Sequence, residues 1–124
     1  MEYVRHGRGA VRPYIYARLD TLNLIREAFG AKELECLGAP NGFHVEAAIG
    51  DSIIVVEAAD PPVVGGTISS IYIYVPDVDQ AFDRALASGA TCVSEPEDKP
   101  YQERGAGVRD AYGNTWWVAT YTGE

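Results

Sequence analysis

The chain has 124 residues, 47% apolar and 23% charged, with a formal net charge of -8 at neutral pH. This is the composition of one compact globular domain that can bury a core without disulfide or metal staples. The acidic balance excludes a nucleic-acid partner, which needs clustered Lys and Arg, and an anionic membrane surface; no apolar run approaches the roughly 20 residues of a membrane span.

Residues 1–10 read as a polar, glycine-containing lead-in without a signal-peptide core, so a cytoplasmic protein is expected. Cys36 and Cys92 lie far apart in strand-like contexts and are expected to be buried, reduced thiols. Residues 11–18 alternate, with Arg12, Tyr14 and Tyr16 on one side and Val11, Ile15 and Ala17 on the other; Pro13 marks an edge or a bulge. Asp20 or Thr21 is placed to cap a helix with Leu22, Leu24, Ile25, Ala28 and Phe29 as its apolar stripe and Gly30 as its stop. Strands are predicted over 32–37, 43–49 and 52–58, separated by turns at 39–42 and at Gly50-Asp51. Residues 60–66 have the composition of a linker.

The second half repeats this order. Residues 69–75 alternate, with Ser70, Tyr72 and Tyr74 opposite Ile71, Ile73 and Val75. Asp77 caps a helix, with Gln80 three residues on as in a capping box; Ala81, Phe82, Ala85 and Leu86 form its stripe and Gly89 ends it. A short strand over 90–94, a charged, proline-containing loop over 95–102 and a hairpin of strands 103–110 and 115–121 complete the chain. Tyr14-Ile15-Tyr16 matches Tyr72-Ile73-Tyr74 at a shift of 58, Gly30-Ala31 matches Gly89-Ala90 at 59, and Gly50 matches Gly113 at 63. A drift confined mostly to one loop is the mark of duplication. The prediction is a single α+β domain over 1–124, with module 1 at about 11–60, a linker at 61–68 and module 2 at about 69–122.

A duplicated βαβββ unit with an Asp-x-x-Gly turn before its last strand resembles the glyoxalase/bleomycin-resistance/dioxygenase proteins, the vicinal oxygen chelate superfamily. Residues 74–81 (Tyr-Val-Pro-Asp-Val-Asp-Gln-Ala), the Ser-Gly-Ala end of the second helix and residues 109–117 (Arg-Asp-Ala-Tyr-Gly-Asn-Thr-Trp-Trp) carry the likeness. It implies two tandem βαβββ modules forming a curved mixed sheet around a cleft, and a homodimer. Fold does not fix activity here, because the superfamily includes lyases, epimerases, ring-cleaving oxygenases and drug-binding proteins. Its metal-using members place one ligand on the first and one on the last strand of each module. Carried onto this chain, those positions are Arg12, Ile54, Ser70 and Trp117. Arg12, Ile54 and Trp117 are not divalent-metal ligands of the usual kind and Ser70 alone is a poor one. No metal or other cofactor is therefore expected.

Residues in phase with Arg12 are Tyr14 and Tyr16, with Ser70 are Tyr72 and Tyr74, and with Trp117 are Ala119 and Tyr121. Such an aromatic set suits a small organic ligand held by stacking, or else an inter-module core with no space left. Tyr101 and Arg104 are candidates for a lid contributed by the charged loop. His44 and Glu46, two apart on one strand, are the other candidates. If Ile49 pairs with Ser52, they lie opposite Val55 and Glu57 and away from the cleft; a three-residue turn puts them in it. The leading expectation is a metal-independent small-molecule-binding protein. The alternative is a metal-dependent glyoxalase-like lyase, isomerase or dioxygenase using His44 and Glu46.

Overall fold

Alternating side chains leave each strand one apolar face, and two amphipathic helices are available to cover those faces. The computed structural model describes residues 2–123. After a 3₁₀ turn at Arg5–Gly7 come β1 (Tyr14–Ala17), α1 (Asp20–Phe29), β2 (Lys32–Ala39), β3 (Gly42–Ile49) and β4 (Ser52–Ala59). The same order repeats as β5 (Ser70–Tyr74), α2 (Val78–Ala87), β6 (Thr91–Lys99), β7 (Glu103–Arg109) and β8 (Thr115–Tyr121). Each repeat makes a four-stranded mixed sheet, ordered β1-β4-β3-β2 and β5-β8-β7-β6, with the first strand parallel to the last.

The helix-facing sides are Ile15, Ala17, Val45, Ala47, Ile54, Val56 and Ala58 in one sheet and Ile73, Ala106, Val108, Trp116 and Val118 in the other, all buried. With Leu24, Ile25, Phe29, Ala81, Phe82 and Ala85 they form one core shared by both modules. Phe29 of α1 meets Trp116 of β8 with ring centroids 5.3 Å apart, so the two modules bury their largest side chains against each other.

The Asp110-to-Asn114 turn connects the modules. Asp110 Oδ1 accepts the backbone N–H groups of Tyr112, Gly113 and Asn114 at 2.9–3.0 Å, and Oδ2 accepts Asn114 Nδ2 and Trp116 Nε1 at 2.9 Å. Asn114 Nδ2 also donates to the carbonyl of Tyr16 in module 1, at 2.8 Å, and its Oδ1 accepts the N–H of Ser69. The motif that signals the family in the sequence is thus a buried polar clasp.

Four expectations are corrected. The loop predicted over 95–102 is largely strand: β6 runs on to Lys99, with a bulge near Val93 and another irregularity between Ser94 and Glu97 that absorb Pro96 and the charges at the sheet edge. Neither Asp20 nor Thr21 caps α1: Leu19 occupies the N-cap without a side-chain bond, and Thr21 is buried inside the first turn. Asp77 does cap α2, accepting Gln80 N–H at 3.0 Å. Cys36 and Cys92 are free but exposed, because β2 and β6 are outer strands with little covering either face. Ile54 points into the helix-facing core and not into the cleft.

Candidate functional site

The face of each sheet opposite its helix carries the polar and aromatic residues. In module 1, Tyr14 pairs with Val55 and Tyr16 with Glu57 across β1 and β4, and His44 pairs with Glu57 and Glu46 with Val55 across β3 and β4. Paired residues share a face. Ile49 does pair with Ser52, yet this register puts His44 and Glu46 beside the tyrosines, in the cleft. This is opposite to the expected side, because the counterpart of Trp117 in module 1 is Val55 and not Ile54, as the pairs Tyr14–Val55 and Tyr72–Trp117 show.

Glu57 lies at the centre of this face. It accepts the Tyr14 hydroxyl at 2.7 Å and is hydrogen-bonded to His44 Nδ1. Tyr14 and Tyr16 are tilted 51° with centroids 5.4 Å apart, and His44 stands 6.2 Å from Tyr14. Beside them opens a cavity of about 540 Å³ lined by Tyr14, Tyr16, Asn41, Glu57 and the linker residues Pro61–Val64, which wall one side. Its volume and mainly apolar lining are those of a site for a drug-sized ligand.

Glu46 faces Glu35 directly across β2 and β3, a like-charge pair that is unfavourable alone. Cations converge on it. Arg12 Nη1 donates to Glu46 at 3.0 Å, and the Arg12 guanidinium also holds the carbonyls of Arg5, Arg8 and Gly9, folding the lead-in around itself. Arg5 pairs with Glu35, whose carboxyl it holds below the usual range.

In module 2, Ser70, Tyr72, Tyr74, Trp117, Tyr121 and Glu103 share the corresponding face. Trp117 spans it: its Nε1 donates to Ser70 Oγ on β5 at 3.1 Å, and its six-membered ring covers Gly107 on β7, where an added Cβ would come within 2.6–2.7 Å of it. A cavity of about 200 Å³ beside it is lined by Tyr72, Ser94, Lys99, Tyr101 and Trp117. Tyr72 and Tyr74 both donate to Glu103, and Tyr121 is exposed with its hydroxyl 3.4 Å from Gln102. Arg104 is not in either cavity. It turns to the helix side and forks onto Asp79 of α2 at 2.8 and 2.9 Å, because its neighbours in phase are the core residues Ala106 and Val108.

The tyrosine–glutamate bonds give a signed pH dependence. The Tyr72 and then the Tyr74 hydroxyl lower the Glu103 carboxyl pKa, against burial, so their stabilisation is present above the ordinary value of 4.5 and is lost as pH falls through the lower folded value. The Tyr14 phenol is raised from 10.0 to about 12, first by Glu57 and then by burial, so its contribution is present below pH 10 and lost as pH rises towards 12. In thermal unfolding measured across pH, Glu103→Gln is expected to flatten the acid limb below 4.5 and, because the Glu103 carboxylate also raises the Tyr72 and Tyr74 phenols, to flatten the alkaline limb above pH 10 as well.

The structural counterparts of the family's metal positions are Arg12, Val55, Ser70 and Trp117. One guanidinium, one aliphatic group, one hydroxyl and one indole do not make a divalent-metal donor set.

A family model described as the glyoxalase/bleomycin resistance protein/dioxygenase superfamily matches residues 26–118. An uncharacterized protein of Mycobacterium bovis is 34% identical over 73% of this chain and 67% of its own length. One from Mycobacterium tuberculosis is 34% identical over 73% of this chain, which spans 60% of that relative. Among solved structures, TioX from Micromonospora sp. ML1 is similar with a TM-score of 0.69 and 26% identity, covering 90% of this chain and 99% of its own. A glyoxalase/bleomycin resistance protein/dioxygenase family enzyme from Burkholderia phytofirmans PsJN has a TM-score of 0.66 at 20% identity, covering 90% and 95%, a likeness of fold alone.

Proposed function

Because the chain belongs to the glyoxalase/bleomycin resistance/dioxygenase superfamily, we propose that it is a small-molecule-binding protein whose ligand needs no metal at the family's positions. The observation that carries this reading is the roughly 540 Å³ cavity with Tyr14 and Tyr16 on its wall and Glu57 as its one charged lining residue. A planar or extended organic molecule stacks on the tyrosines, while the carboxylate and the Asn41 side chain orient polar substituents. Tyr72, Tyr74, Tyr101, Trp117 and Tyr121 provide a second aromatic face. A homodimer in the cytoplasm completes the proposal; no helix among the described residues is long and apolar enough to cross a membrane.

The test is a thermal-shift screen of aromatic antibiotics and metabolites, run with and without EDTA. The expected result is a saturable shift that survives chelation and weakens about tenfold in affinity in Tyr14→Ala, the loss of one stacking partner. Binding abolished by EDTA, or no compound shifting the wild type, overturns the reading.

A further inference from the structure

The lead-in brings a histidine to the two facing carboxylates. His6 adopts a left-handed backbone with φ 68°, uncommon for a residue other than glycine, and so aims its ring at β2 and β3. His6 Nε2 lies 3.2 Å from Glu46 Oε1 and 3.5 Å from Glu35 Oε1, and all three donor atoms fall within 4.8 Å of one another. The donors of a tetrahedral zinc-type ion, at bonds of about 2.0–2.1 Å, are about 3.3 Å apart. Both separations from His6 fit that edge. His44 Nε2 stands 3.7 Å from the other oxygen of Glu46, while its Nδ1 is held by Glu57.

We propose that His6, Glu35 and Glu46, with His44 alongside, form a structural site for a zinc-type divalent cation that fastens the lead-in to module 1. One imidazole with two carboxylates is a borderline-hard donor set suited to Zn²⁺, Ni²⁺ or Co²⁺ rather than to Ca²⁺ or Mg²⁺. Arg12 serves as the outer partner that orients Glu46, as second-shell groups do for ligating carboxylates. Arg5, largely exposed on Glu35, is the cation that gives way. The ion offsets the repulsion between two carboxylates set directly opposite on neighbouring strands. Its three ligands His6, Glu35 and Glu46 lie outside the four family positions and line neither of the two cavities described above.

The experiment uses the untagged, chelator-treated full chain titrated with Zn²⁺ by calorimetry and followed by thermal unfolding. One ion per chain is expected, with Tm raised by about 5–10 °C at a hundredfold excess over Kd. His6→Ala, in the lead-in, and Glu35→Gln, on an outer strand, are each expected to weaken binding at least tenfold and to remove the gain in Tm while leaving the metal-free protein folded. Absence of stoichiometric binding, or binding unchanged in both variants, overturns the proposal. So does a thiolate-to-metal absorption band with Co²⁺, which assigns the ion to Cys36 or Cys92. Ligand binding that survives EDTA while the Tm gain disappears separates this site from the cavity.

Discussion

Asp110→Ala is expected to cost about 4 kcal/mol of stability, close to the largest effect a single side chain produces. Five donors converge on this one carboxylate: three backbone N–H groups of its own turn, the Asn114 amide and the Trp116 indole. Asp110 is only 7% exposed, and Trp116 and Asn114 are fully buried, so water cannot replace the lost acceptor. The damage reaches the other module, because Asn114 loses the support that aims it at the Tyr16 carbonyl and the Ser69 N–H. Denaturant unfolding monitored by tryptophan fluorescence measures the loss. Asp110→Asn keeps the shape but can satisfy at most part of the set, and is expected to fall between the wild type and alanine. A loss below about 1 kcal/mol for Asp110→Ala would mean the clasp is not a principal fastening of the modules.

The same motif shows what was legible in the sequence. Period-two and period-3.6 patterns identified both helices, the strands and the duplication, because each half needs one apolar face to cover the other. The Asp-x-x-Gly turn pointed to the family, and Trp117 and Ser70, two of the four positions carried over from it, touch each other. The failures are failures of register. The Gly50 and Gly113 turns differ by one residue in their relation to the strand that follows, so counting from the glycine put Ile54 in the cleft where Val55 belongs, and reversed the side assigned to His44 and Glu46. The register shift between Glu33 and Glu35 puts these two residues on opposite faces, although simple alternation gives them the same one. That is why the Glu35–Glu46 opposition was invisible. His6 lies in the lead-in, a segment that no periodicity governs; its position depends on Arg12 gathering three lead-in carbonyls, a tertiary event without a local signal. The linker residues Pro61–Val64 read as a spacer, and only the fold shows that they wall a cavity.

Gly42→Ala is expected to destabilise the protein by about 3 kcal/mol and to impair the cavity at the same time. Gly42 opens β3 and pairs with Ala59, where a Cβ would sit 1.9 Å from the Ala58 carbonyl oxygen and 2.8 Å from both the Ala58 carbonyl carbon and Ala59 Cα. Those are backbone atoms of the neighbouring strand, with no side-chain end able to swing away, so β3 and β4 must separate at this end; overpacking against rigid surroundings costs about 1–3 kcal/mol, and more when backbone has to move. The separation falls on the cavity lip, since Ala39, Pro40, Asn41, Ala58 and Ala59 all line it. The N–H of Asp60, which donates to the Asn41 carbonyl at 3.0 Å, is strained by the same movement, and the linker wall that follows shifts with it. Two readouts separate the effects. Denaturant midpoint reports the strain in the hairpin, and the affinity of any ligand found by the thermal-shift screen reports the lip. Gly38→Ala, at a position where an added Cβ meets nothing within 4 Å, is the matched control and is expected to change neither. If Gly42→Ala lowers stability as expected but leaves ligand affinity intact, the ligand does not occupy the cavity between the tyrosines and the linker.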